Sequence, residues 1–402
     1  MPRAGWKRPE SERRLSDLVS VGVLTRTFPP AVVDEVIAEV GRTELRHRSL
    51  PARVMAYFSI GMALHAEGSY GDVLSLLTDG LAWAADEEPV KLPSKSAIFQ
   101  ARARLGAEPV QALFRRVAAP LSERGAAGAW LAGRRLVAID GTCLDVADTA
   151  ENAGFFGRPG VNKGEHAAFP QARLVALAEC GTHVMFDAAV GPYTTAENTL
   201  AGELIDRLEP GMVVLADRGF CGFPLWSRAV ATGADLVWRA MANMKPQHRQ
   251  TLEDGSWLAE LRPSGNAGRH ADPLVIRVID YQIDDGRSND QTYRLFTTIV
   301  DPDDASAIDL ALAYAQRWEI EGAFDELKVH QRGARTVLRS KSPDLVLQEI
   351  WGHLCCHYAI RTLMWEAADH AAVDPDRVSF VAALRIARRS IAAARDFSPS
   401  AP

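Results

Sequence analysis

Acidic residues at three separate points of the chain could together hold divalent metal ions. Asp140 closes the apolar run LVAID, Asp217 closes the run MVVLAD, and Glu321 lies in the stretch YAQRWEIEGAFDELK. An Asp that ends a buried strand lies at the carboxyl edge of a sheet, where α/β proteins build their sites, although either Asp alone also suits a turn before glycine. Three carboxylates brought together repel one another, and a pair of Mg²⁺ ions reverses that repulsion. Two such ions can activate a water or a 3′-hydroxyl for an in-line displacement.

The stretch around Glu321 carries further groups that suit phosphate chemistry. It predicts a helix from about Ala305 to Gln331, with about 100° of rotation per residue. Four polar side chains then share one stripe roughly 60° wide: Tyr314, Arg317, Glu321 and Lys328. The carboxylate can hold a metal while the cations and the hydroxyl hold phosphates around it. The alternative is a solvated face on which Arg317 and Glu321 form an i, i+4 pair.

The three motifs in combination resemble a known family. Asp-Gly-Thr at 140–142, Asp-Arg-Gly-Phe at 217–220 and Tyr-x2-Arg-x3-Glu-x6-Lys at 314–328 are similar to the motifs of the DDE transposases of bacterial insertion sequences. The branch is the insertion-sequence-four family, which has a Tyr-Arg-Glu-Lys signature. The third motif is complete in spacing and specific, whereas the two short Asp motifs are weak alone. The region before them also resembles the helical N-terminal domain of this family.

This resemblance implies roles for the site residues. It implies that Asp140, Asp217 and Glu321 bind Mg²⁺, for which Mn²⁺ can substitute, and catalyse DNA strand cleavage and strand transfer. It also implies that three residues of the signature contact DNA phosphates: Tyr314, Arg317 and Lys328.

The resemblance further implies the partners of the chain. These are DNA, both the terminal inverted repeats of the mobile element and the target, and a second copy of the chain in a homodimer assembled on DNA. It implies a DNA hairpin on the excised end, a step that often uses Trp side chains near the insertion. Trp238 and Trp257 are the candidates for this contact.

A second basic group follows the predicted metal ligand Glu321. The segment 328–341 contains five cations and no acidic residue: Lys328, Arg332, Arg335, Arg339 and Lys341. Such a cluster is a local phosphate-binding patch, and Arg332 and Arg335 are predicted DNA contacts. The alternative is a solvated helix end and loop.

Composition limits the kind of protein. The chain has 402 residues, 47% of them apolar, and a formal net charge of −6, so any DNA contact must come from local patches rather than from the whole surface. Its five cysteines are irregularly spaced, which indicates reduced thiols and a cytoplasmic protein. HLCCH at 353–357 lies in an apolar helical segment and is interpreted as core. The most apolar stretch, at 54–66, is too short to span a membrane.

The first 130 residues predict helices only. Within them, Ser94 is the expected N-cap of a helix that ends at Gly106 and carries Lys95 and Arg102. This helix and the one before it could form a helix-turn-helix-like unit, in which Lys95 and Arg102 contact DNA. An ordinary bundle with a solvated basic helix is the alternative.

The rest of the chain predicts an α/β fold. Paired strands and then strand–helix units over 134–240 suit a ribonuclease H-like core. Alternating runs and turns over 241–303 predict a β-rich insertion, and a long helix follows the Glu321 helix. The expected organisation is a helical DNA-binding domain over 1–130 and a catalytic domain over 134–402.

Taken together, the sequence predicts a Mg²⁺-dependent DNA transposase of the cut-and-paste type. Two alternatives remain open at this stage. One is a two-metal nuclease or resolvase with the same fold and no strand transfer, and the other is a DNA-binding relic that no longer cleaves.

Overall fold

The computed structural model describes residues 22–44, 49–85, 93–160, 167–263, 272–282, 292–333 and 336–390. Contacts group these residues into two units. One unit takes in the described parts of Met1–Val117, Leu347–Ile360 and Val381–Pro402, and the other takes in those of Ala118–Val346 and Arg361–Phe380. The sequence suggested two consecutive domains, 1–130 and 134–402, whereas this grouping assigns two late segments to the unit of the N-terminal helices.

The N-terminal region is helical, as predicted. Its helices are α1 (Gly22–Thr27), α2 (Pro30–Glu39), α3 (Ala52–Leu64), α4 (Tyr70–Ala85), α5 (Lys95–Leu105) and α6 (Glu108–Val117). Prolines 29 and 51 occupy the N-cap positions of α2 and α3, where a missing N–H costs nothing. Every residue of α3 from Val54 to Leu64 is buried, because the helix is apolar on all sides.

The basic helix α5 differs from the prediction in one respect. The Ser94 side chain accepts a hydrogen bond from the Ala97 N–H, which confirms the predicted cap, and Lys95 is exposed. Arg102 is fully buried, and its Nε donates to Gln348 Oε1 at 2.8 Å. The sequence predicted a DNA contact through Arg102, whereas in this structure its guanidinium is committed to the interior of the helical unit.

One mixed sheet organises the second unit. Its first six strands are β1 (Trp130–Leu131), β2 (Arg134–Asp145), β3 (Gln171–Glu179), β4 (Val184–Pro192), β5 (Met212–Ala216) and β6 (Asp235–Arg239). The connecting helices are α7 (Ala150–Phe156), α8 (Glu197–Leu204) and α9 (Phe223–Ala231). Strands β2, β3 and β4 are antiparallel neighbours, whereas β5 and β6 run parallel to β2. This arrangement confirms the predicted ribonuclease H-like core.

The predicted β-rich insertion is also present. It forms β7 (Gln247–Thr251), β8 (Trp257–Leu261), β9 (Leu274–Gln282) and β10 (Thr292–Thr297). All four pair antiparallel and extend the same sheet beyond β6, in the order β4-β3-β2-β5-β6-β10-β9-β8-β7. Trp226, Trp238 and Phe296 fill the core on one face of this sheet.

The predicted Glu321 helix is not one regular α-helix. It consists of α10 (Ala307–Ala315), a 3₁₀ turn (Gln316–Trp318), α11 (Glu319–Asp325) and a π-helical segment (Glu326–Gln331). Ser306 and Asp309 form a capping box at its start. The prediction of uniform 100° steps from 305 to 331 is therefore wrong, because tighter and wider turns replace regular ones. Such irregular turns are frequent where a helix carries functional residues.

Two helices follow, α12 (Pro343–Ala371) and α13 (Phe380–Ser390), with a 3₁₀ turn (Pro375–Arg377) between them. Cys355 and Cys356 are fully buried within α12, as the core interpretation of HLCCH required. Throughout the described ranges, no helix combines the length and the apolar character needed to cross a bilayer.

Candidate active site

Neighbouring strands place Asp140 and Asp217 side by side. Ile139 on β2 pairs with Ala216 on the parallel strand β5, so the next residues along are Asp140 and Asp217. Adjacent strands lie about 4.8 Å apart. The expectation that Asp140 ends its strand is wrong, because β2 continues to Asp145 through pairing with β3. Asp217 follows the last residue of β5, as expected.

Arg317 lies between two of the three carboxylates. Its Nη1 is 3.1 Å from Asp140 Oδ2, and its Nη2 is 3.5 Å from Glu321 Oε1. The guanidinium carbon also lies 4.6 Å from the centre of the Trp318 ring. Arg317 is only 5% exposed, whereas the Glu321 side chain is 47% exposed. The 3₁₀ turn thus directs Arg317 inward and provides a positive charge where the acidic groups converge.

The surroundings of Asp140 favour bound positive charge. Burial raises the pKa of Asp140, and the nearby carboxylates of Glu321 and Glu197 raise it further. The Gly141 N–H, 2.8 Å from Asp140 Oδ1, and the Arg317 guanidinium act in the opposite direction. Because the net shift is upward, a divalent cation at this position would stabilise the ionised form of Asp140.

Glu197 is a site residue that the sequence did not reveal. It begins α8, and a Cβ added to Gly141 would lie 3.0 Å from its Cδ and Oε1 atoms. The glycine of the Asp-Gly-Thr motif therefore leaves space for a fourth carboxylate beside Asp140. Carboxylate oxygens are the ligands that Mg²⁺ and Mn²⁺ prefer, so the residues present fit such ions.

Two further residues of the stripe keep polar groups at the site. Tyr314 is 5% exposed, burial raises its pKa, and its hydroxyl has no hydrogen-bond partner among the described residues. Lys328 Nζ donates to Thr142 Oγ1 at 3.0 Å. The π-helical segment thereby connects the signature lysine to the Asp-Gly-Thr motif, and a buried unpaired hydroxyl remains available for a ligand.

Comparison with known families gives two matches along the chain. The family model described as Insertion element 4 transposase N-terminal matches residues 18–115, and the one described as Transposase DDE domain matches residues 131–359. The second match covers more than half of the chain. The chain belongs to the DDE transposase family. The predicted family and the predicted function as a DNA transposase are confirmed, and divalent metal use is a general property of this family.

Individual relatives agree with this assignment. The transposase is 29% identical to "Transposase InsG for insertion sequence element IS4" of Escherichia coli strain K12, over 92% of this chain and 83% of the relative. It is 34% identical to "Putative transposase InsZ" of the same organism, over 57% of this chain and 74% of the relative. A solved piggyBac transposase synaptic complex with hairpin DNA matches with a TM-score of 0.46 and 11% identity, over 94% of this chain and 82% of that one.

Arg239 is a second arginine at the site, after Arg317. The sequence alone did not single it out. It ends β6, and its Nη1 lies 4.0 Å from Asp217 Oδ1. The guanidinium stacks over the Tyr293 ring at 4.4 Å, which holds it beside the acidic cluster. Each of the two site aspartates thus has an arginine within 4.0 Å, Arg317 beside Asp140 and Arg239 beside Asp217.

The basic segment after Glu321 differs from the expected exposed patch. Arg332, a predicted DNA contact, is 4% exposed and donates to the Thr336 carbonyl in this structure rather than to the solvent. Arg335 lies outside the described residues. Lys341 is exposed, and Lys328 is half-buried against Thr142.

The tryptophans near the site also differ from expectation. Trp238 is 1% exposed and packs edge-on against Trp226, so it cannot meet a DNA base without rearrangement. Trp257 is half-buried and stacks on His248 with ring centres 5.2 Å apart. Trp318, by contrast, is 60% exposed beside Arg317. Of these three tryptophans, Trp318 is the one with an exposed ring beside the site residue Arg317.

Proposed function

We propose that this transposase moves an insertion sequence by a cut-and-paste reaction. It cleaves DNA at the terminal inverted repeats and joins the freed ends to target DNA. The observation that supports this proposal most directly is the convergence of Asp140 and Glu321 on Arg317, with Asp217 beside Asp140 on the next strand.

The metal ligands in this proposal are Asp140, Asp217 and Glu321, with Glu197 beside Asp140. When bound, a pair of Mg²⁺ ions, or Mn²⁺ in their place, would activate a water or 3′-hydroxyl and stabilise the leaving oxygen. Before metal binding, the single positive charge of Arg317 lies between Asp140 and Glu321 and offsets part of the repulsion between them. The reaction needs no covalent enzyme intermediate.

Groups around the carboxylates hold the DNA backbone. The Tyr314 hydroxyl and the Arg317 Nε are buried beside the carboxylates and have no hydrogen-bond partner among the described residues, so we propose that a phosphate entering the site accepts from both. Lys328 and Arg239 add positive charge on either side of the acidic cluster. Such contacts position the backbone and carry no base specificity.

Other contacts complete the complex with DNA. The exposed Lys95 on α5 contacts the transposon end, and Trp318 stacks on an unpaired base if the excised end forms a hairpin. Two copies of the chain assemble on the paired ends. The five cysteines are free thiols, and we propose that the reaction takes place in the reducing cytoplasm.

Alanine substitutions of Asp140, Asp217 and Glu321 test this proposal, with Asp145→Ala as the matched control. Asp145 lies on the same strand as Asp140, but its Oδ1 accepts a hydrogen bond from the Gln171 amide instead. We expect each of the three substitutions to abolish Mg²⁺- or Mn²⁺-dependent cleavage and to leave binding to the transposon ends unchanged, and we expect the control to cleave normally.

Cleavage within about tenfold of wild type, or about 1.4 kcal/mol, would remove the substituted residue from the catalytic set. Full cleavage in excess chelator would reject the metal mechanism. Joining of a pre-cut end to target DNA separates a transposase from a nuclease, and a wild-type protein that binds ends without cleaving them would be a relic.

A further inference from the structure

A second polar cluster lies on the side of α11 that faces away from Glu321. It consists of His183 in the β3–β4 turn, Glu319 at the start of α11, and Asp376 in the 3₁₀ turn before α13. His183 Nε2 lies 3.2 Å from Asp376 Oδ1 and 3.6 Å from Glu319 Oε2. Two helical steps of about 100° place Glu319 some 160° around the helix from Glu321.

The turn that carries His183 adopts an unusual backbone. His183 has φ of 55°, a region that non-glycine residues rarely occupy. Gly181 has φ of 80° and donates its N–H to Glu319, and a Cβ added to it would lie 2.8 Å from the Ala127 carbonyl oxygen. A Cβ on Gly322 would lie 3.5 Å from the His183 ring. The turn is therefore hydrogen-bonded to α11 at Glu319 and packs close to Gly322, the residue that follows Glu321.

His183, Glu319 and Asp376 could also be interpreted as a metal site, since one ligand atom from each lies within 4.8 Å of the others. Arg361 argues against this interpretation. Its Nη2 lies 2.7 Å from His183 Nδ1, and a guanidinium can only donate, so Nδ1 accepts and the neutral ring carries its proton on Nε2. A protonated Nε2 has no lone pair to offer a metal, and its proton lies on the side of the Asp376 and Glu319 carboxylates.

Arg361 extends the cluster to the other end of α11. Its Nε donates to Glu326 Oε2 at 2.8 Å, and its Nη2 also donates to Glu326 Oε1, which makes a two-pronged ion pair. Arg361 is 3% exposed and the Glu326 side chain is 13% exposed. Since Glu326 opens the π-helical segment, the hydrogen bonds connect both ends of the short helix that carries Glu321.

We propose that His183 and Arg361 are positioning residues for the transposase reaction, which fix the rotation of α11 and so direct Glu321 towards Asp140 and Asp217. If side-chain contacts held α11 on one side only, the helix could rotate about its own axis. A rotation of about 10° moves a carboxylate roughly 5 to 6 Å from that axis by about 1 Å. A displacement of about 1 Å at reacting groups can cost on the order of 100-fold in rate. This inference rests on the proposed function of Glu321.

Two conservative variants test the inference. His183→Asn keeps a residue that tolerates positive φ but removes the ring, and Arg361→Lys keeps the charge but loses the two-pronged geometry. Arg134→Lys is the control, because Arg134 forms a similar ion pair with Asp235 at 2.8 Å, at the opposite end of β2 from Asp145. The measurements are direct Mn²⁺ binding without DNA, binding of transposon ends without metal, single-turnover cleavage at saturating Mn²⁺, and thermal unfolding.

For both variants we expect Mn²⁺ binding weakened about tenfold and cleavage slowed roughly 10- to 100-fold. End binding and the unfolding temperature should stay close to those of Arg134→Lys. Normal Mn²⁺ binding and normal cleavage in both variants would overturn the inference. Weaker Mn²⁺ binding or slower cleavage that is fully accounted for by a lowered unfolding temperature would overturn it as well. Stoichiometric Zn²⁺ binding that His183→Asn removes would overturn it in favour of a metal site. Failure of the wild type itself to cleave with Mn²⁺ would instead count against the proposed function.

Discussion

Replacing Glu319 by Gln should change how the stability of the transposase depends on pH. The Glu319 side chain is 16% exposed. Its pKa is raised from 4.5 to about 7, mainly by burial; the carboxylates of Asp376 and Asp374 contribute to the rise, and the Gly181 N–H and Arg361 oppose it. Gln has nearly the same shape and can still accept the Gly181 hydrogen bond, but it cannot ionise.

The sign and size of the effect follow from these pKa values. Below pH 4.5 the carboxyl is protonated in both folded and unfolded chains, so its ionisation costs nothing. As the pH rises from 4.5 to about 7, the unfolded chain releases the proton first, and the folded state loses stability. At about 1.4 kcal/mol per pKa unit, the loss is about 3 kcal/mol above pH 7. Glu319→Gln avoids this loss.

The assay is urea unfolding of the metal-free protein, in chelator, at several pH values from 4.5 to 8.5. We expect Glu319→Gln to match the wild type at the lowest pH and to exceed its unfolding free energy by about 3 kcal/mol at the highest. Asp145→Asn serves as the control and should show no comparable trend. A difference between Glu319→Gln and wild type that stays constant across this range would refute the reasoning.

Three further predictions concern the site itself. Lys328→Ala should weaken binding of transposon ends and reduce the salt slope by about 0.9, as for one lost phosphate contact; unchanged slope and affinity would make it a structural lysine bound to Thr142. Trp318→Ala should slow hairpin formation by an amount equivalent to about 1–3 kcal/mol without lowering the unfolding temperature, whereas loss of stability would mean a packing role. Gly141→Ala should weaken Mn²⁺ binding measured without DNA, because its Cβ would meet Glu197 at 3.0 Å; normal Mn²⁺ binding would exclude Glu197 from the site.

Local patterns in the sequence predicted most of the fold. The apolar runs before Asp140 and Asp217 correspond to strands, because burial on both faces requires continuous apolar side chains. Ser94 caps α5 because its hydroxyl satisfies a free N–H at the helix start. The order and spacing of the three motifs were also sufficient to predict the family, because both are visible along the chain without knowledge of how the side chains pack.

The tertiary structure decided which charged groups face the site. Arg102 resembled an exposed basic residue on its helix, but it is buried because Gln348, a residue far along the chain, accepts its hydrogen bond. Glu197 and Arg239 lie beside the aspartates because the strand order β4-β3-β2-β5-β6 brings segments that are distant in sequence together.

The sequence by itself therefore determined most of the helices and strands, the family, and the three carboxylates as candidate site residues. A helical wheel assumes equal steps, so it could not place Arg317 against Asp140 or Lys328 against Thr142, which depend on the 3₁₀ turn and the π-helical segment. Only the tertiary structure decided these contacts. The burial and the hydrogen-bond partners of a long side chain depend on residues that are remote in sequence. A local sequence pattern therefore cannot predict this burial or these partners.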